Sequence, residues 1–290
     1  MNGTALVIVL ASAFLHAGWN YLLKKSDRKI VFIWWFMLVS LIIYFPVFIH
    51  YYQHITIPSA GWLCIVATGL THTAYFLSMA GAYQRGDFSL VYPLSRGAGP
   101  LFVPILAVIL LEEEISPLGA MGIALIICGI YCVHLRSFTG AAFLEPFRAL
   151  RGGASPWALL TGLAIAIYSL VDKVGVELVY PPVYIYILFL VSWLTITPWI
   201  LLRERGYLRE EWRRHAGSII AVGFLSIFTY LMILFALRLT KVSYVAAVRE
   251  VSIVLSAYYG IVLLGEKHGL QKLLGALFIT LGVVSIGLSR

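Results

Sequence analysis

Val91 to Pro100 read VYPLSRGAGP, and the meaning of that stretch decides what the rest of the chain is. It lies inside an apolar segment, Phe88 to Leu111, long enough to cross a bilayer, yet Arg96 stands near its middle among Pro93, Gly97, Gly99 and Pro100. An arginine at the centre of a membrane helix costs from roughly 3 to more than 10 kcal/mol depending on the scale, so it is a functional hypothesis by default. The prolines and glycines remove or loosen backbone hydrogen bonds, which lipid tolerates only where neighbouring helices or a wet cavity satisfy the freed groups. The stretch predicts an interrupted helix facing a polar interior, the arrangement that puts solute sites near the midplane of transporters.

Composition agrees. With 61% hydrophobic and 12% charged residues in 290 and a mean hydropathy of +0.93, the chain is too apolar for a soluble domain and reads as a multi-pass protein of the cell membrane. Of 21 Lys and Arg only Arg96 and Arg249 lie deep inside apolar segments, so the net charge of +8 comes mostly from short loops. That is an orientation signal and not a nucleic-acid surface. Cys64, Cys128 and Cys132 fall within predicted spans without a CxxC, and His134 points off the face that Cys128 and Cys132 share. Neither a disulfide framework nor a zinc site is indicated, and no metal or organic cofactor is expected. The N-terminal stretch lacks a basic n-region and a cleavage site, so residues 4–23 are expected to be a retained first span.

At about 20 apolar residues per crossing, spans are predicted near 4–23, 30–51, 60–83, 88–111, 117–135, 156–176, 182–202, 216–237, 242–264 and 270–288, with 203–215 as a loop. A polar Gly/Ser/Pro-rich connection, 136–155, separates a first unit, 1–135, from a second, 156–290. A shift of 153 positions superposes Arg85 on Arg238, Arg96 on Arg249, Glu113 on Glu266, Gly122 on Gly275 and Gly129 on Gly282 without a gap. A weaker echo at 149 pairs Trp19-Asn20 and Lys24 with Tyr168-Ser169 and Lys173. Five spans per copy is an odd number, so the second copy enters the membrane in the opposite sense. The expected fold is an all-α membrane protein of ten transmembrane helices in two inverted five-helix repeats. Most loop Lys and Arg follow odd-numbered spans, which places both termini away from the cytoplasm.

The segments LHAGWNYLLK (15–24), YQRGDFSLVYPLSRGAGPL (83–101), YSLVDK (168–173) and VREVSIVLSAYYGIVLLGEK (248–267) resemble the EamA-like branch of the drug/metabolite transporter superfamily over essentially the whole chain. The resemblance implies ten helices in two inverted repeats, a central cavity and alternating access. The HAxWN-type first span is similar to members associated with phosphonate utilisation. Better-known ten-span relatives place both termini in the cytoplasm, the reverse of what the basic residues indicate here.

Candidate site residues follow from polarity at depth. Arg96 and Arg249, one per repeat, can bind a carboxylate, phosphonate or phosphate through forked hydrogen bonds. Against this, Arg96 can pair with Glu250 across the repeat interface as a purely structural contact; both remain open. Ser12, His16, Asn20 and Lys24 recur every fourth residue on the first span and should face the protein interior, with His16 either a proton relay or a satisfied core histidine. Tyr92, one turn before Arg96, can stack on or hydrogen-bond to a solute. Asp172 lies near the end of its span, where solvated loop chemistry and proton coupling are both open, and Thr68, His72 and Tyr75 share a face of the third span. Glu113 and Glu266 are expected to aim at the N-terminus of the following helix. Trp34, Trp35, Trp193 and Trp199 are expected at lipid or the interface.

The substrate-binding set is therefore Arg96, Arg249, His16, Asn20, Tyr92 and Glu250, in a secondary transporter of a small polar solute, anionic or zwitterionic because the deep charges are arginines. A passive channel and a lipid-flippase-type subunit are alternatives. An intramembrane enzyme is disfavoured, because HExxH, GxSxG and a second deep aspartate are all absent from the sequence. The partners expected are a small-molecule substrate and the lipid bilayer, with no nucleic acid; monomer and homodimer are both open.

Overall fold

The computed structural model describes residues 1–24, 26–85, 88–135, 155–254 and 270–289. Among them the chain is helical, with short connections: α1 Gly3–Lys24, α2 Lys29–Tyr52, α3 Ser59–Arg85, α4 Phe88–Leu111, α5 Pro117–His134, α6 Ser155–Leu178, α7 Pro181–Trp199, α8 Leu208–Leu239, α9 Val242–Val248 and α10 Leu270–Leu288. The helices follow the apolar runs, and two of them open on a local start signal. The Ser116 hydroxyl accepts from the Gly119 amide ahead of Pro117 to open α5, and Pro181-Pro182 open α7. Five described stretches are long and apolar enough to cross a membrane: Lys29–Tyr52, Ser59–Ala82, Pro156–Leu178, Pro181–Leu239 and Leu270–Leu288. Large apolar side chains such as Ile42, Leu63, Ile109 and Leu202 lie exposed on the outside, a surface suited to acyl chains.

Three expectations about the backbone are corrected. First, α4 runs unbroken through VYPLSRGAGP; Pro93, Pro100 and Pro104 each forfeit one donor, and α6 and α9 pack against α4. Second, the interruption sits at the equivalent place in the other half, where α9 ends at Val248 and a turn at Arg249-Glu250 precedes a helical stretch at 251–254. There Glu250 N bonds to Ala247 O, Ser252 N to Arg249 O and Ile253 N to Glu250 O, three-residue spacings that tighten the chain. Third, 203–215 is not a loop. A π-helical turn at Ile200–Glu204 and a 3-10 turn at Arg205–Tyr207 lead into α8, whose 32 residues make about 48 Å at 1.5 Å each, longer than a bilayer core. Non-helical angles at His215 kink it, leaving a short segment before the kink.

Among the described residues most of the strong helix pairs are symmetric between the halves, the exception being α4·α6, which pack more extensively than their image α1·α9. Under the exchange of α1–α5 with α6–α10, the pair α3·α6 maps onto α1·α8 and α3·α7 onto α2·α8, while α2·α7, α4·α9 and α5·α10 map onto themselves; all are observed as principal contacts. Contacts between halves dominate those within a half, so anything enclosed at the centre is lined by both. The antiparallel α5·α10 pair is the closest: Gly122 lies against Gly282, and Gly129 against Gly275. Small residues let two membrane helices approach backbone to backbone.

Candidate functional site

Between the halves lies a cavity of about 60 Å³ lined by residues of α1, α2, α3, α6, α7, α8 and the α9 turn. His16 and Trp19 of α1 meet edge to face at 4.6 Å. His72 of α3 stacks on Tyr168 of α6 at 4.1 Å, and Tyr230 of α8 stands edge-on to His72 at 5.5 Å. Arg249, carried by the break after α9, also lines the cavity, its guanidinium carbon 5.5 Å from the centroid of the Tyr230 ring. Phe36, Phe76 and Phe189 supply apolar wall, and Ser226 and Thr229 small polar groups. Trp19 Nε1 is buried with no hydrogen-bond partner among the described residues.

A polar cluster backs the cavity wall. Asp172 of α6 is fully buried. The Thr68 hydroxyl donates to its Oδ1 at 2.6 Å, the Tyr184 hydroxyl to the same atom at 2.9 Å, and the Tyr230 hydroxyl to Oδ2. His72 Nδ1 lies 2.9 Å from Thr68 O and 3.2 Å from Thr68 Oγ1. Since a carbonyl only accepts, Nδ1 carries the proton and Nε2 of the neutral ring is the acceptor. Thr68 thus accepts from His72 while donating to Asp172, a hydrogen-bonded chain from the cavity wall to the carboxylate.

The two ends of the molecule differ. At the end that carries Met1, a vestibule of about 990 Å³ is lined by Glu112, Glu113, Glu114, Lys173, Arg238 and Lys241 among others. Glu113 accepts from the amides of Val242 and Ser243 at 2.7 and 3.3 Å and from the Ser243 hydroxyl at 2.6 Å. It therefore serves the N-terminus of α9 and not that of the next helix, because Glu112, at φ 53°, turns the chain and Ser116 already caps α5. At the opposite end the halves are fastened. The Ser26 hydroxyl donates to buried Glu211 at 2.7 Å, Trp35 Nε1 to Leu208 O at 3.0 Å and Trp34 Nε1 to Thr197 at 2.9 Å. Trp34 stacks on Trp193 at 5.5 Å and Arg28 covers the Tyr207 ring at 3.7 Å. Trp34, Trp35 and Trp193 are thus helix-to-helix contacts and not lipid anchors, the indole donors of Trp34 and Trp35 having internal acceptors and Trp193 being held by the stack on Trp34; Trp199 is exposed as expected.

The structure places the expected site residues as follows. His16 and Arg249 line one cavity; Glu250 is buried and is not part of that lining. The side chains of Asn20, Tyr92 and Arg96 lie outside the described residues, as does Glu266. Ser12 is buried and donates to Thr229 O at 2.8 Å, an interior position for that face of α1. Of the two roles the sequence leaves open for Asp172, solvated loop chemistry and proton coupling, burial removes the first: the residue is fully buried, about 9 Å of helix follow it at 1.5 Å per residue, and α3, α7 and α8 close over it. Tyr184 and Tyr230 carried no sequence signal, since one aromatic looks like another until its neighbours are known; Trp19 and Tyr168 showed only as a pair in the weaker echo of the repeat.

The EamA-like transporter family model matches residues 3–135 and again 153–288. No curated protein sequence matches the chain. Among solved structures 29 chains match; one crystal structure covers 99% of this chain and is covered over 99% of its own length, with a TM-score of 0.77 at 13% identity, a likeness of fold alone. The duplicated family match, laid over apolar helices that pair symmetrically around a central cavity, makes the chain a member of the EamA-like transporter family of the drug/metabolite transporter superfamily, a multi-pass membrane transporter.

Proposed function

We propose that the protein is a secondary transporter that carries a small anionic or zwitterionic solute by alternating access, with Arg249 as its anchor. The observation that carries this reading is the position of Arg249: a guanidinium on a helix break, at the wall of a cavity shared by both halves. A forked donor suits carboxylate, phosphonate and phosphate. Trp19 Nε1 and the ring nitrogens of His16 and His72 add polar capacity, and the aromatic walls suit a short organic tail. Arg96, the counterpart of Arg249 in the first repeat, is assigned the same role on sequence alone, with Tyr92 and Asn20 beside it and Glu250 balancing the charge.

The cavity, at about 60 Å³, is smaller than the roughly 300–1,000 Å³ of ligand sites, so it fits an occluded state that widens to load. An open vestibule at one end and fastened helices at the other suit such a cycle. Purified protein screened by thermal shift against alkylphosphonates, amino acids and dicarboxylic acids identifies ligands, and counterflow in proteoliposomes tests transport. Saturable uptake with counterflow is expected; uptake without counterflow means a channel, and consumption of the solute means an enzyme.

A further inference from the structure

The Asp172 cluster is present at one of two equivalent junctions between the halves and absent from the other. Helices α1 and α6 correspond at a shift of 149. A Cβ on Gly69 would come within 2.6 Å of Val191, and one on Gly223 within 2.6 Å of Val39. Ser192 donates to Gly69 O at 3.1 Å as Ser40 donates to Gly223 O at 2.7 Å. These packings equate α3 with α8 at a shift of 154 and α2 with α7 at 152. Carried onto the cluster, they set Leu23 opposite Asp172, Val222 opposite Thr68, Phe32 opposite Tyr184 and Phe76 opposite Tyr230. All four counterparts are buried and apolar. The same junction closes with hydrocarbon, so packing does not demand a buried carboxylate, which is costly to desolvate.

We infer that Asp172 is a protonation site that couples this carrier to a proton gradient, exchanging its proton with the cavity along Thr68 and His72. The inference rests on the carrier reading above. His72 lines the cavity, its Nδ1 is hydrogen-bonded to Thr68, and Thr68 is hydrogen-bonded to Asp172. A proton taken from the solvent on the acidic side forms an O–H bond at the carboxylate and is returned to solvent on the other side; no other reactant is consumed. The mechanical link is Thr68. Tyr184 and Tyr230 belong to the same half as Asp172, whereas Thr68 comes from the other half. Hydrogen bonds to an ionised acceptor are about twice as strong as neutral ones. Protonation therefore weakens the one bond of the cluster that crosses between the halves, and frees Tyr230 at the cavity wall.

The titratable and charged groups facing Asp172 among the described residues are His72 and Cys64 of α3, Tyr184 of α7, Tyr230 of α8 and Arg249 beyond the Tyr230 ring. Tyr168 and Lys173 belong to its own helix, and α4 from Gly99 to Leu111 contributes none. Lys173 is engaged by Leu237 O at 2.7 Å and Glu177 at 3.0 Å. Among the described residues no ion pair holds Asp172, which leaves its charge free to change.

Wild type and D172N in proteoliposomes test this, with radiolabelled alanine, succinate and 2-aminoethylphosphonate as probes under counterflow and under an imposed pH gradient. Wild type should show counterflow and gradient-stimulated uptake, and D172N should keep counterflow and lose the stimulation. Infrared titration of the purified proteins should show a protonated-carboxyl C=O band that D172N removes; should D172N not insert, Y230F should shift that band in its place. Equal gradient stimulation in wild type and D172N overturns the inference, as does a titration in which neither variant alters a carboxyl band. Absence of counterflow in wild type for every probe counts against the carrier reading instead, and the infrared titration still decides whether Asp172 takes up a proton.

Discussion

Gly129 of α5 and Gly275 of α10 stand backbone to backbone: a Cβ on either would lie 2.7 Å from the other's carbonyl oxygen. Gly122 and Gly282 repeat the relation one step along, at 2.7 and 2.6 Å. Because Gly122 corresponds to Gly275 and Gly129 to Gly282, the two contacts are copies of each other under the exchange of halves. That is the signature of an antiparallel pair on a pseudo-twofold axis. Gly129→Val and Gly275→Val should each cost at least about 1–3 kcal/mol through overpacking, read as a fall in the thermal unfolding midpoint. Gly217→Ala, with nothing within 4 Å, should leave it unchanged.

Arg249 yields a binding prediction. Arg249→Ala should weaken binding of the acidic ligand found by thermal shift by roughly 2–5 kcal/mol, the cost of deleting one partner of a desolvated charged pair. Arg249→Lys keeps the charge and loses the fork, so its affinity should fall between the two. Titration calorimetry checks the order. Equal affinity of wild type and Arg249→Ala removes Arg249 from the site.

Restoring the apolar pattern of the opposite half should separate stability from coupling. Thr68→Val alone leaves the buried carboxylate one donor short and should destabilise by about 1–3 kcal/mol. The quadruple variant D172L/T68V/Y184F/Y230F copies Leu23, Val222, Phe32 and Phe76. Replacing buried charge by packed hydrocarbon is often neutral or stabilising, so its unfolding midpoint should equal or exceed that of wild type, with gradient-driven uptake lost.

Much of this was legible in the sequence, for physical reasons. Apolar runs of bilayer length show the helices directly, and the ungapped match around Arg96 and Arg249 shows the duplication. His16 and Arg249 stood out because a polar group in hydrocarbon is costly wherever it is. Helix breaks were harder: Pro93 and Gly97 mark weak backbone without deciding whether it gives way, and the break fell at Arg249-Glu250. The sequence left Asp172 between loop and core because distance from a helix end does not measure burial once α3, α7 and α8 cover it. Glu113 was misassigned because its partner at Val242 lies 129 positions away, beyond any local pattern.

The fastened end supplies the most direct test of alternating access. Ser26 and Glu211 share a buried hydrogen bond of 2.7 Å between the halves. Glu211→Ala should release about 1–3 kcal/mol of closure, roughly a 5- to 150-fold change in the balance of states. Spin-label distances between Asp27 and Arg213 at that end, and between Glu114 and Arg238 at the vestibule, read both ends in one protein. In Glu211→Ala the first distance should lengthen while the second shortens; both lengthening together, or neither moving, would contradict alternating access.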